Sequence, residues 1–182
     1  MSIVLEDIPE TDIPADHDYS LITTEEQLDA LIRRMQQANL IAVDTETEGI
    51  HHDDVIVGVC VSVGPRHGAY IPVRHEQDGM AGFAVRYPNQ LDPTLVFSKL
   101  RPLLEEKPLT GHNTKFDYKM FYKEGIIANF VHDTLIIAAV SGRYDQGRRG
   151  LKELVNLHFG HEMTELAAFF KPEGRKRKPE IR

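Results

Sequence analysis

Two carboxylates, Asp44 and Glu46, close the apolar run Leu40-Ile41-Ala42-Val43. The run reads as a buried strand, and on a strand residues i and i+2 project from one face, so both acids can address one point. Carboxylates crowded at the end of an apolar strand are costly unless something neutralises them. A divalent cation is the usual answer, and oxygen-only ligation suits Mg²⁺ or Mn²⁺. A solvated strand end with scattered acids is the alternative, and this stretch alone does not separate the two.

A third acid stands in Thr110-Gly111-His112-Asn113-Thr114-Lys115-Phe116-Asp117. Here a short strand is expected to give way to a turn and then a helix, with Asp117 in the helix's first turns. The macrodipole favours an ionised carboxylate there. An acid placed early in a helix for stability alone is the alternative. Together with Asp44 and Glu46, however, it makes three acids at element ends, able to converge. A carboxylate facing ions contributes little packing, so the fold is expected to survive loss of Asp117.

The elements that must position these acids follow from periodicity. Tyr19–Ile22 reads as a first strand. Thr23 and Glu26 have capping-box spacing, and Leu28, Leu31, Ile32 and Met35 mark a helix ending near Asn39. After the acid-bearing strand, Val55, Val57, Val59, Val61 and Val63 alternate with small residues, predicting a strand covered on both faces. Ala69–Val73 is its expected antiparallel partner, running along an edge or ending at Pro72, which cannot donate to a ladder. Residues 74–90 read as loop. Asp92-Pro93 caps a helix to about Glu105, Pro108–Gly111 is a strand, and Thr114–Glu124 is a helix stopped by Gly125. Asp133 caps Thr134–Val140, whose apolar composition predicts burial, and Leu151, Leu154, Val155 and His158 outline a last helix. Strands followed by alternating helices and strands predict an α/β fold, a mixed sheet flanked by helices.

The sequence has 182 residues and a formal net charge of −7, which excludes a wholesale basic surface but not a nuclease whose cations meet phosphate locally. Residues 1–20 hold six acids and no Lys or Arg, and residues 1–18 are expected to be an acidic flexible arm. Residues 171–182 form a basic tail, with six basic residues against two acids. Cys60 is the only cysteine, in a Val-rich run, and reads as a small buried apolar residue. With no disulfide within the chain and no apolar run of membrane-spanning length, a cytoplasmic protein is expected. His51-His52-Asp53-Asp54 reads as a solvated loop, and His158 and His161 as ordinary residues at a helix end.

Asp44-Thr45-Glu46-Thr47 followed by Gly111-His112-Asn113-Thr114-Lys115-Phe116-Asp117 resembles the first two motifs of the 3′–5′ exonucleases that use four catalytic acids. The nearest resemblance is to the proofreading domain of family A DNA polymerases (the DNA polymerase I type). It spans about Tyr19 to Phe170, including His132-Asp133-Thr134 and a segment from Ser141-Gly142-Arg143 to Leu154. The resemblance implies a ribonuclease H-like fold and two divalent ions, Mg²⁺ or Mn²⁺. Asp44 would bridge the ions, Glu46 would complete the first ion's shell, and Asp117 would hold the second. Thr45, Ile50, His112 and Asn113 would lie beside the 3′-terminal nucleotide, with Ile50 as an apolar wedge against a frayed base.

That family's third motif places a Tyr or His a few residues before a fourth Asp, and nothing after His158 matches it. The sequence is therefore expected to be a truncated or split piece. Its expected partners are a single-stranded DNA 3′ end and a polymerase domain, or a separate chain, that supplies the third motif. A ribonuclease D-like RNA-trimming exonuclease and a non-catalytic module binding DNA ends are the alternatives.

Overall fold

The computed structural model describes residues 17–49, 54–78, 84–142 and 149–163. The expected arm up to residue 16, Ile50, the loop residues His51 to Asp53 and the basic tail lie outside the described residues. The elements in chain order are β1 (Asp18–Leu21), α1 (Glu25–Gln37), β2 (Ile41–Thr47), β3 (Ile56–Ser62), β4 (His67–Pro72), β5 (Glu76–Asp78), β6 (Ala84–Arg86), α2 (Pro93–Glu106), β7 (Leu109–Gly111), α3 (Lys115–Lys123), β8 (Phe130–Asp133), α4 (Thr134–Val140) and α5 (Leu151–Phe159).

Six strands form one mixed sheet in the order β1-β4-β3-β2-β7-β8. The central β2 is antiparallel to β3 on one side and parallel to β7 on the other. Along β2 the odd positions Ile41, Val43 and Thr45 are buried, whereas Asp44 and Glu46 are exposed. The buried face continues through Val59, Val61, Ala69 and Ile71 on the neighbouring strands, and it packs against Leu28, Leu31 and Met35 of α1 and Val96, Leu100 and Leu104 of α2. Met120 and Phe121 of α3 join the same core. The pleat therefore sends the apolar residues of β2 into the core and its acids outward.

Three local expectations need correction, and that for β4 is met by the second of its two alternatives. The capping box lies one residue later: Thr24 accepts from the Gln27 amide at 3.3 Å, and the Gln27 side chain accepts from the Thr24 amide at 3.0 Å. Because α1 starts at Glu25, Gln27 and not Glu26 occupies the position that can reach back. β4 ends at Pro72 as expected but is not an edge, since β1 pairs with it in parallel over His67–Tyr70. Residues 74–90 contain a hairpin, β5 with β6, whose short strands carry no apolar alternation to announce them. In α4, Ala138 is buried, but Ile136, Ile137 and Val140 are 58%, 50% and 77% exposed. A helix that is apolar all round needs cover on all sides, and α4 sits beyond β8, the last strand of the sheet.

Candidate active site

The ladder between β2 and β3 carries the acids through their full length, with Asp44 opposite Cys60 and Glu46 opposite Gly58. One ligand atom from each of Asp44, Glu46 and Cys60 lies within 4.8 Å of the others. The Asp44 carboxyl is pushed up to about 6, first by burial of its surroundings and then by the charges of Asp117 and Glu46. Burial, followed by the same acids, pushes the Cys60 thiol up to about 12, so it stays protonated beside them. Cys60 is thus only half buried and belongs to the acids' face, contrary to its expected place in the core. Its signal was present in the alternation of β3, where Gly58, Cys60 and Ser62 form the face of small residues. Tyr70, opposite Cys60 on β4, lies on this face too. A Cβ on Gly58 would stand 2.0 Å from the Tyr70 hydroxyl, and that hydroxyl is 2.5 Å from His75 Nε2.

Asp117 arrives from the other side of β2. The pairing of β2 with β7 ends at Ala42 opposite Thr110. Beyond it the Asp117 Oδ1 accepts from the Thr45 amide at 2.9 Å and from the Thr45 hydroxyl at 2.7 Å. Asp117 is only 2% exposed, so the expectation that its removal would leave the fold untouched is not supported by its surroundings. Burial raises its carboxyl, against the lowering effect of the Thr45 hydroxyl and amide. The approach of the end of β7 to β2 is close. A Cβ on Gly111 would lie 2.9 Å from the Val43 carbonyl oxygen, a contact that only glycine avoids. Asp44, Glu46 and Asp117 do not close into one group at the 4.8 Å spacing that gathers Asp44, Glu46 and Cys60. The charge of Asp117 nevertheless acts on Asp44.

The turn that delivers Asp117 contains His112 and Asn113. Asn113 adopts a left-handed φ of +62°, a conformation that Asn tolerates better than most residues. His112 Nδ1 lies 2.8 Å from Thr134 Oγ1, and the Thr134 hydroxyl donates to the Gly111 carbonyl at 3.1 Å. Asp133 caps α4 as expected, accepting from the Leu135 and Ile136 amides. It also accepts from Asn113 and Thr114, which sequence reasoning did not foresee because the contact joins residues some 20 positions apart. Partial burial alone would raise the Asp133 carboxyl, but the bonds from Asn113, Thr114 and Ile136 hold it below the ordinary range.

An open strand face with two carboxylates, a third carboxylate at a helix start and a polar turn beside it can hold cations against a phosphate group. Among the described residues no helix is long and apolar enough to cross a membrane. The 3′–5′ exonuclease family matches residues 19–169. DNA polymerase I of Pseudomonas aeruginosa is 30% identical over 155 residues, which cover 80% of this chain and 16% of the polymerase. The chain thus spans about a sixth of that relative's length. Among solved structures, Escherichia coli RNase D, an exoribonuclease involved in structured RNA processing, superposes with a TM-score of 0.59 at 19% identity, over 87% of this chain and 39% of that one. Brucella melitensis NrnC with bound Mg²⁺ gives a TM-score of 0.53 at 18% identity, over 84% of this chain and 70% of that one. These likenesses bear out the expected ribonuclease H-like mixed sheet. By family match, sequence identity and fold, the chain belongs to the 3′–5′ exonucleases of the DNA polymerase I type.

Proposed function

We propose that this domain is a divalent-metal-dependent exonuclease that removes nucleotides from a single-stranded DNA 3′ end, the proofreading part of a DNA polymerase I-like protein. The observation that carries the reading is the linkage of the three acids through one strand. Asp44 and Glu46 project from β2 on its open face, and Thr45 between them holds Asp117 by two hydrogen bonds. Carboxylate oxygens are hard donors and fit Mg²⁺ or Mn²⁺, whereas the protonated Cys60 thiol is no ligand for such ions. Asp44 would be shared by two ions, with Glu46 and Asp117 completing one site each. Once bound, the ions would activate a water for attack on the terminal phosphodiester and stabilise the leaving 3′ oxygen.

The chain's own residues hold and orient. Thr45 fixes the Asp117 carboxylate. His112 has its Nδ1 engaged by Thr134, which leaves Nε2 as the ring nitrogen available to a nucleotide. Asn113 and Ile50 would complete the contact with the 3′-terminal nucleotide, whereas Thr45, expected beside it, is buried with its amide and hydroxyl both given to Asp117 and serves by holding that acid.

Asp117 has one oxygen committed to Thr45, so few carboxylate oxygens remain for two ions. For that reason we propose that a fourth acid, with its Tyr or His, comes from a polymerase domain or a separate chain. The setting we propose is the cytoplasm of a bacterial or phage-infected cell. The test is stepwise shortening of a 5′-labelled single strand from its 3′ end with Mn²⁺, by the full polypeptide or the domain supplemented with its partner. Asp44→Ala should abolish shortening, and wild-type turnover in that variant would refute the metal assignment. A matched RNA strand trimmed equally well would favour the RNA enzyme, which must tolerate the 2′ hydroxyl. End binding without any metal-dependent product would favour a binding module.

A further inference from the structure

We propose that Asp133 is a positioning residue for the site, acting through the turn that carries His112 and Asn113 and through the start of α3 that carries Asp117. The inference rests on the exonuclease reading for its functional meaning.

Five donors converge on the Asp133 carboxylate. The Leu135 and Ile136 amides reach Oδ1 at 2.9 and 3.3 Å, which is the ordinary work of a helix cap. The other three come from the other side. The Asn113 amide donates to Oδ1 at 3.1 Å, and the Thr114 amide and hydroxyl donate to Oδ2 at 2.9 and 3.0 Å. Thr114 stands at the N-cap of α3, yet its side chain makes no cap bond to that helix. Its hydroxyl, 8% exposed as a residue, is spent on Asp133 instead. The amides of Asn113 and Thr114, the two residues that lead into α3, are thus met by a carboxylate from β8.

The neighbouring residue strengthens the brace, since Thr134 holds both Gly111 and His112. Asp133 and Thr134 therefore fix the whole path from the end of β7, through the left-handed Asn113, into the first turn of α3. Asp117 lies three residues past Thr114 on that turn, and its Oδ1 meets Thr45. A shift of the turn would be felt at Thr45, an element away. An ordinary cap cannot do this. Asp92 provides the comparison: it accepts from Thr94 and Leu95 at the start of α2 and touches no part of the site.

The experiment compares Asp133→Asn with Asp92→Ala by amide hydrogen exchange and by Mn²⁺ binding. Asparagine keeps one acceptor oxygen but presents an NH₂ group where Oδ2 or Oδ1 accepted. The Thr45 amide should exchange about tenfold faster in Asp133→Asn, the effect of weakening one charged hydrogen bond. Mn²⁺ should bind more weakly as well, with neither change in Asp92→Ala. If Asp133→Asn does not fold, Thr114→Val removes one of the same bonds and should accelerate Thr45 exchange in the same direction. Faster exchange confined to Leu135 and Ile136, or an equal change at Thr45 in Asp92→Ala, would overturn the proposal. Equal Mn²⁺ binding by wild type and Asp44→Ala would instead refute the metal site while leaving the exchange result to stand.

Discussion

Replacing Asp44 with Asn should stabilise the metal-free protein at neutral pH, although it removes the residue proposed to be shared by both ions. The Asp44 carboxyl ordinarily titrates at 3.8 and is pushed up to about 6 in the fold. A shift of about 2 units corresponds to at most roughly 3 kcal/mol. Asp44 is exposed, so screening reduces that to about 1 kcal/mol. The sign follows from linkage. A carboxyl raised on folding favours the folded state below its ordinary value, and the advantage is lost as pH rises through about 6. In EDTA, Asp44→Asn should therefore melt about 2–4 °C above wild type at pH 7.5. At pH 4 the two should melt together. Saturating Mn²⁺ should reverse the order at pH 7.5, because it stabilises only the protein that binds it. Thermal denaturation across this pH range, with and without Mn²⁺, measures all three. A variant less stable than wild type in EDTA at pH 7.5 would refute the reasoning, since the acids would then not be in electrostatic conflict.

At Asp117, Ala should cost about 1–3 kcal/mol because it strands the Thr45 amide and hydroxyl in a buried setting, while Asn keeps an acceptor and should cost less. Urea unfolding of both variants checks this, and both should lose metal-dependent activity. Gly111→Ala would press a methyl group against the Val43 carbonyl and should destabilise by about 1–3 kcal/mol. A crystal structure or amide exchange should then find β7 displaced from β2. Arg74 pairs with Glu124 through two bonds of 2.7 and 3.0 Å, and its guanidinium lies 5.3 Å from the centre of the Phe97 ring. Arg74→Ala should lower stability by about 1–3 kcal/mol, and Lys should recover only part of it because it cannot make the paired bond.

The strands and helices that build the site were legible because each has a local cause. Period-two valines gave β3, the Asp92-Pro93 cap gave α2, and the spacing of Asp44 and Glu46 gave a shared face. What the sequence hid is long-range. The bond from Asp117 to Thr45 spans 72 positions, and no periodicity encodes it. The placement of Cys60 beside the acids depends on the register between β2 and β3. The exposure of α4 followed from its position past the end of the sheet, whereas its composition alone spoke for burial.

The bond between Asp117 and Thr45 has a consequence for how the site can vary. Where β7 stops, a side-chain oxygen takes the place of the next backbone acceptor, so the ladder continues for one more rung in different material. The reference point for the third acid is thus a main-chain N–H, and every residue type except proline supplies one. A serine at position 45 would preserve both contacts and a valine would preserve one, with the acid still pinned to the strand that bears the other two. The strand thus serves as one datum for all three carboxylates, while the start of the helix that carries the third is held separately by Asp133.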